Sequence, residues 1–158
     1  MLQIRPATPT DCGTILHFIR AIAEYEKLSH LVQATEESVY KNLFTEPVAA
    51  QCIIAYENEV AVGFALYFNN YSTFISRPGI YLEDLFVDPA YRGKGYGKAL
   101  LLHLVKLAKK NNYGRVEWSV LNWNKPAIDF YKSLGAEPMQ EWTVYRLNQD
   151  AIDRLTDQ

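Results

Sequence analysis

Two cysteines, Cys12 and Cys52, are all that the 158 residues contain. That is too few for a disulfide framework. Each lies in an apolar-periodic segment, which predicts two buried free thiols. Histidine is nearly as scarce: His17, His30 and His103 lack the spacing of metal ligands, so no metal is expected. No apolar run is long enough to span a membrane as a helix. Neither sign of charge dominates, with 16 Lys and Arg against 18 Asp and Glu, whereas a nucleic-acid binder would carry a basic surplus. Repeats, linkers and low-complexity segments are missing too. The opening M-L-Q-I-R-P has no signal-peptide pattern, so a cytoplasmic, reducing location is the expectation. What remains is a chain that is 49% apolar, enough for one substantial core, and of a length suited to a single domain over 1–158.

Glycine is sparse as well, eight in all, yet three fall within five residues. They belong to Asp88–Leu102, D-P-A-Y-R-G-K-G-Y-G-K-A-L-L-L. An apolar run, Ile80 to Val87, leads in, and Asp88-Pro89 closes it as a turn. After Gly97 the apolar residues Leu100, Leu101, Leu104, Val105 and Ala108 recur at helical spacing. The order is strand, glycine loop, helix. Helix N-termini leave backbone N–H groups unpaired and carry partial positive charge, and glycines let the loop approach a ligand closely. Arg92, Lys94 and Lys98 add full charges. The stretch therefore reads as an anion site for phosphate or pyrophosphate. Gly93, Gly95 and Gly97 do not make the dinucleotide fingerprint, and Gly97-Lys98 is followed by Ala99 rather than the Ser or Thr of a Walker loop. The run fits R-x-x-G-x-G from Arg92 to Gly97.

Along the chain, Leu2 to Arg5 reads as a short strand. Thr8, with Pro9 and Asp11, opens a helix whose apolar face is Cys12, Ile15, Leu16, Ile19, Ile22 and Ala23. Thr35 opens a second helix that Pro47 ends. Gln51 to Glu57 and Val60 to Phe68 are strands around a turn at Asn58-Glu59. Asn69 to Gly79 reads as a polar loop. After the helix that runs to Lys110, Arg115 to Leu121 alternates as a strand. Pro126 opens a short helix that Gly135 closes, and Trp142 to Leu147 reads as a last strand. The order βααβββαβαβ indicates an α/β domain with a mixed sheet.

Several segments together resemble the GCN5-related N-acetyltransferases (GNAT), with a closer likeness to the diamine (spermidine/spermine) acetyltransferase branch. They are Ile4-Arg5-Pro6-Ala7-Thr8, Tyr25-Glu26, Gly63-Phe64-Ala65, Tyr81-Leu82-Glu83-Asp84, Arg92 to Gly97, and Trp123-Asn124 running into Phe130-Tyr131-Lys132 with Gly135-Ala136. The resemblance implies a single-domain α/β fold with a mixed, mostly antiparallel sheet flanked by helices. It implies direct acetyl transfer from acetyl-CoA to an amine, and a homodimer. By the same likeness, Leu85, Phe86 and Val87 hold the pantetheine arm through their backbone. Arg92, Gly93, Lys94, Gly95, Tyr96, Gly97 and Lys98 form the pyrophosphate loop. Asn124, Lys125, Pro126 and Ala127 touch the coenzyme further along.

Acetylating an ammonium requires that it lose a proton, and the departing thiolate benefits from gaining one. Glu83 and Asp84 stand inside an otherwise apolar strand, where neighbours point to opposite faces unless a bulge intervenes. One carboxylate is then directed into a cleft, or both lie at a solvated edge. Resemblance makes Glu83 the base, through water, and a contact for the cationic acceptor. From spacing alone Tyr131 is helix packing; resemblance makes it the acid beside the coenzyme sulfur. Tyr25 and Glu26 are either an exposed helix end or, with Asp84 and Trp142, the lining of an amine site, and Trp142 alone also suits a core or interface aromatic. The leading expectation is an N-acetyltransferase acting on a small diamine or polyamine. The alternatives are a lysine-like amino acid or peptide amine as acceptor, with Arg77 supplying a cation for the acceptor carboxylate, and a CoA-binding sensor without turnover.

Overall fold

The computed structural model describes residues 1–157. They fall into two units, Met1–Leu121 and Asn122–Gln158. The first begins with β1 (Leu2–Pro6), followed by a single 3₁₀ turn, Pro9–Asp11, before α1 (Cys12–Tyr25). Thr8 N–H donates to Asp11 Oδ2 at 2.7 Å, which explains why the helix starts late. In α2 (Glu36–Phe44) the capping residues are reciprocal: Ser38 N–H donates to Thr35 Oγ1 at 3.0 Å and Thr35 N–H to Ser38 Oγ at 2.9 Å. The strands β2 (Gln51–Glu57) and β3 (Val60–Ser72) meet at Asn58-Glu59. Both turn residues take positive φ, 50° and 65°, the two-residue geometry that matches strand twist. Then come β4 (Arg77–Val87), α3 (Tyr96–Lys110) and β5 (Val116–Trp118).

The sheet runs in sequence order, β1 to β5. Its first four strands are antiparallel, and β5 lies parallel to β4. This is the mixed, mostly antiparallel α/β arrangement that the family resemblance implies. One face is covered by α1 and α2. There Cys12, Ile15, Phe18, Val39, Cys52, Ile54, Phe64, Leu66 and Phe86 form one buried cluster, with Phe18 stacked on Phe64 at 5.3 Å between ring centres. Phe18 is missing from the helix face read in the sequence. On α3, Leu100, Leu101 and Leu104 are buried at helical spacing, and Gly97 approaches Val87 closely enough that a Cβ would sit 3.8 Å from Val87 Cγ2. Both thiols are free and buried, as expected. Burial pushes the Cys52 thiol up to about 12, with Asp11 and Asp84 adding to it.

Three expectations fail. Asn69 to Gly79 is not a loop: β3 and β4 continue through it, and only 73–76 turn. The asparagines that suggested a loop find partners across the sheet, Asn69 Nδ2 donating to Gly79 O at 3.0 Å and Asn70 Nδ2 to Glu117 Oε1 at 3.1 Å. The strand over Arg115 to Leu121 shrinks to Val116–Trp118, because only Ile80, Tyr81 and Leu82 pair with it. Trp142 to Leu147 forms no strand. Its composition suits one, but strand propensity is realised only against a neighbouring ladder, and this segment has none among the described residues. Val144 and Tyr145 are 81% and 92% exposed.

The second unit contains α4 (Lys125–Ser133) and α5 (Gln149–Thr156). Gly135 ends α4 at φ 88°, with Ala136 N–H on Tyr131 O and Gly135 N–H on Lys132 O, the Schellman pattern. The helix α5 was not foreseen. Its signal is Asn148, whose Oδ1 accepts from Ala151 N–H at 3.0 Å, followed by an acid in the first turn.

Candidate active site

The glycine loop is built from its two ends. Asp88 Oδ1 accepts from Ala90 N–H at 2.9 Å and turns the chain out of β4. Gly93 and Gly95 follow in left-handed conformation, φ 82° and 80°. A Cβ at either would meet nothing within 4 Å, so glycine is needed there for its conformation and leaves open space beside the backbone. The first bond inside α3 is Ala99 N–H to Gly95 O at 3.0 Å. The N–H groups of Tyr96, Gly97 and Lys98 therefore lie ahead of the helical ladder, at the positive end of the dipole. An open, glycine-lined backbone with three such donors fits a pyrophosphate group.

The cations behave less uniformly than the sequence suggests. Lys94 Nζ pairs with Glu57 Oε1 at 2.9 Å, and the Tyr96 hydroxyl donates to the same carboxylate oxygen. These contacts, Tyr96 first, hold Glu57 below the usual carboxylate range. Arg92 reaches back to the end of β4: its Nε donates to Val87 O at 2.9 Å. Lys98 has no ion pair among the described residues. Glu57 is a partner of the loop that sequence reading missed, since nothing in its strand marks it as such.

The edge of β4 is the second component. Pairing with β5 stops at Leu82 and Trp118, so β4 beyond Leu82 has β3 on one side only. Asp88 N–H donates to Val62 O at 2.8 Å, which makes that pair a hydrogen-bonded one. Alternation in an antiparallel ladder then gives the Phe86–Phe64 pair the next bonds to β3. Leu85 turns its N–H and C=O groups to the open side, and Val87 its N–H while its C=O accepts from Arg92 Nε, which leaves a short edge suited to an extended amide-bearing ligand. Phe86, grouped with them in the sequence, has its backbone in the ladder and its ring in the α1 core.

A bulge sets the carboxylates. Leu66 pairs with Asp84 and Tyr67 with Leu82, leaving Glu83 as the extra residue. Glu83 is exposed and Asp84 partly buried. Desolvation pushes the Asp84 carboxyl up to about 7, helped by the charges of Glu83 and Glu26. Glu26, just past α1, is raised by desolvation and then by Glu83. No ion pair among the described residues includes any of the three. Two raised carboxyls beside the charge of Glu83, with no ion pair to any of the three, form an acidic site, and its natural ligand is an ammonium group. Tyr25 lies beside Glu26, 41% exposed. Arg77 sits seven residues before Asp84 on the same strand, ~20 Å away at strand rise, and donates to Asn112 Oδ1 at 3.2 Å.

The remaining residues lie in the second unit. Asn124 is buried and caps α4, its Oδ1 accepting from Ala127 N–H at 3.4 Å, with Pro126 in the first turn. Lys125 Nζ pairs with Asp129 Oδ2 at 2.8 Å, both largely exposed. The Tyr131 ring is tilted against Phe130, 5.5 Å between centres. Trp142 is 74% exposed. None of the described residues forms a His, Cys, Asp or Glu cluster suited to a metal, and no helix is long and apolar enough to cross a membrane.

Comparison with known proteins agrees with this arrangement. Residues 18–136 match the family described as the acetyltransferase (GNAT) family. A thialysine N-epsilon-acetyltransferase of Bos taurus is 38% identical over 98% of this chain and 96% of its own length. An L-ornithine N5-acetyltransferase of Arabidopsis thaliana is 34% identical over 97% of this chain and 87% of its own. Among solved structures, an integron cassette protein from the mobile metagenome of V. cholerae superposes with a TM-score of 0.83 at 28% identity, over 99% of this chain and 98% of that one. The chain belongs to the acetyltransferase (GNAT) family and is an acyl-CoA-dependent N-acetyltransferase.

Proposed function

We propose that the enzyme transfers acetyl from acetyl-CoA to a terminal primary amine of a small diamine or polyamine, by direct attack within a ternary complex. The observation that carries the acceptor is the cation-free trio of Glu26, Glu83 and Asp84. An acceptor with two ammonium groups gives each charge an acid to face, while an acceptor carboxylate is repelled.

Acetyl-CoA supplies the thioester. Leu85 and Val87 would run along its pantetheine arm, and the backbone of Gly93 to Lys98 would hold its pyrophosphate. On the family motif, Asn124 and Lys125 to Ala127 would touch the coenzyme further along. Glu83 takes a proton from the ammonium through water, and the freed nitrogen attacks the carbonyl carbon. The C–N bond forms as the C–S bond breaks, and Tyr131 donates its proton to the thiolate. By the same resemblance the enzyme works as a homodimer.

A second acceptor has one observation in its favour. Both relatives named above are called after basic amino acids, thialysine and L-ornithine. Steady-state kinetics on a diamine, the monoamine of equal length and the amino acid bearing the same terminal amine separates the readings. A diamine acceptor gives the highest kcat/KM to the diamine, with a lead that shrinks as salt rises. An amino acid that outperforms every diamine and polyamine replaces the proposal with the second reading.

A further inference from the structure

Arg92 begins the glycine loop and is exposed, yet its side chain makes three contacts within the protein. Its Nε donates to Val87 O, 2.9 Å away, across a partly buried contact. Its Cζ stands 4.9 Å from the centre of the Tyr25 ring and 5.3 Å from that of Phe86. A guanidinium is planar and can donate in its plane while facing rings. The three contacts therefore specify both the direction and the tilt of the group. They also join three parts of the site: the last residue of the open β4 edge, the start of the loop, and the end of α1 where Glu26 follows Tyr25.

We propose that Arg92 is a positioning residue that couples the acceptor end of α1 to the coenzyme loop, and not a ligand of the pyrophosphate. The inference rests on the acetyl-CoA reading of the loop. Val87 closes the open edge, and Gly93 and Gly95 lie one and three residues beyond Arg92. A displacement of the Tyr25 ring therefore reaches the coenzyme site through one side chain. The link is one of packing and direction: Arg92 is not among the charges that perturb Glu26 or Asp84.

The test is CoA affinity by calorimetry in Tyr25→Leu, Tyr25→Phe, Arg92→Met, Arg92→Lys and the Tyr25→Leu/Arg92→Met double variant, each checked for folding by thermal denaturation. Tyr25→Leu should weaken CoA by about 3–30-fold, the range of a ring–cation contact, and Tyr25→Phe should recover most of it. Arg92→Lys keeps the charge without the plane and should stay close to Arg92→Met. The double variant should bind no worse than Arg92→Met, because both changes break one linkage. Losses that multiply, or a lysine that restores binding as a point charge, overturn the inference. If Arg92→Met does not fold, unchanged CoA affinity in folded Tyr25→Leu overturns it alone. Wild-type protein that binds no CoA would instead sink the coenzyme reading itself.

Discussion

Lys94 and Glu57 meet at 2.9 Å, one in the glycine loop and the other at the end of β2. The ammonium most central to the loop is thus already engaged by a carboxylate, which Tyr96 also reaches. On the acetyl-CoA reading, anion recognition would then fall to the backbone on either side of it and to Lys98, and Gly95 is the sharpest place to probe the backbone's share.

At Gly95 a Cβ meets no neighbour, so Gly95→Ala carries only the left-handed strain, ~1–2 kcal/mol. Gly95→Asp adds a carboxylate where the pyrophosphate should lie, and aspartate tolerates positive φ better than alanine. Calorimetric titration should show Gly95→Asp binding CoA on the order of tenfold or more below Gly95→Ala. Equal affinities in the two folded variants would remove the loop from the coenzyme site.

Tyr131→Phe keeps the ring that packs on Phe130 and removes the proposed proton donor. Turnover should fall on the order of 10²–10⁴-fold with CoA affinity nearly unchanged. Single-turnover kinetics at the wild-type rate would return Tyr131 to packing.

Glu83→Gln retains the shape of the bulge residue without its basicity. The acidic limb of the rate–pH profile should flatten or move, with residual activity rising at alkaline pH, where free amine is abundant. A raised KM with the profile intact would make Glu83 a binding residue only.

Asp84, pushed up to about 7 mainly by desolvation, retains a proton that the unfolded chain, titrating near 4, releases. Its contribution to stability is complete below about pH 4 and is lost as pH rises through 7, by at most about 4 kcal/mol. Asp84→Asn removes that loss, so its Tm relative to wild type should climb between pH 4.5 and pH 8. A cation bound nearby favours the ionised form. Acceptor binding at pH 7 should therefore release a proton in the wild type and less in Asp84→Asn, measured as the dependence of binding heat on buffer ionisation.

Much of this site was legible because its signals are local. The Asn58-Glu59 turn, the Thr35 cap, the two left-handed glycines and the Gly135 stop each depend on a few adjacent residues, and each lies where its residue types place it. What escaped depends on partners distant in sequence. No pattern in residues 51–57 announces that Glu57 will hold Lys94. Strand composition over Trp142 to Leu147 could not reveal that no ladder would receive it, and the asparagines at 69 and 70 looked like loop residues until their cross-strand partners were known. Arg92 was read as a charge, whereas its contacts use its plane and its direction. The proposed acceptor site sits at the same remove, since its three acids come from two segments whose approach only the fold decides.

The bulge in β4 also bears on how the strand tolerates gain and loss of residues. Leu82 and Asp84 occupy consecutive register positions opposite Tyr67 and Leu66, so in ladder terms Glu83 is an insertion. Deleting the whole residue would not turn the strand inside out, as a one-residue slip elsewhere would. Leu82 would stay opposite Tyr67 and Asp84 opposite Leu66, and the strand would merely straighten. A chain lacking position 83 could thus keep this sheet and this core while losing the kink that carries the proposed base. At this one position the sheet's architecture and the proposed chemistry can be separated by a single codon.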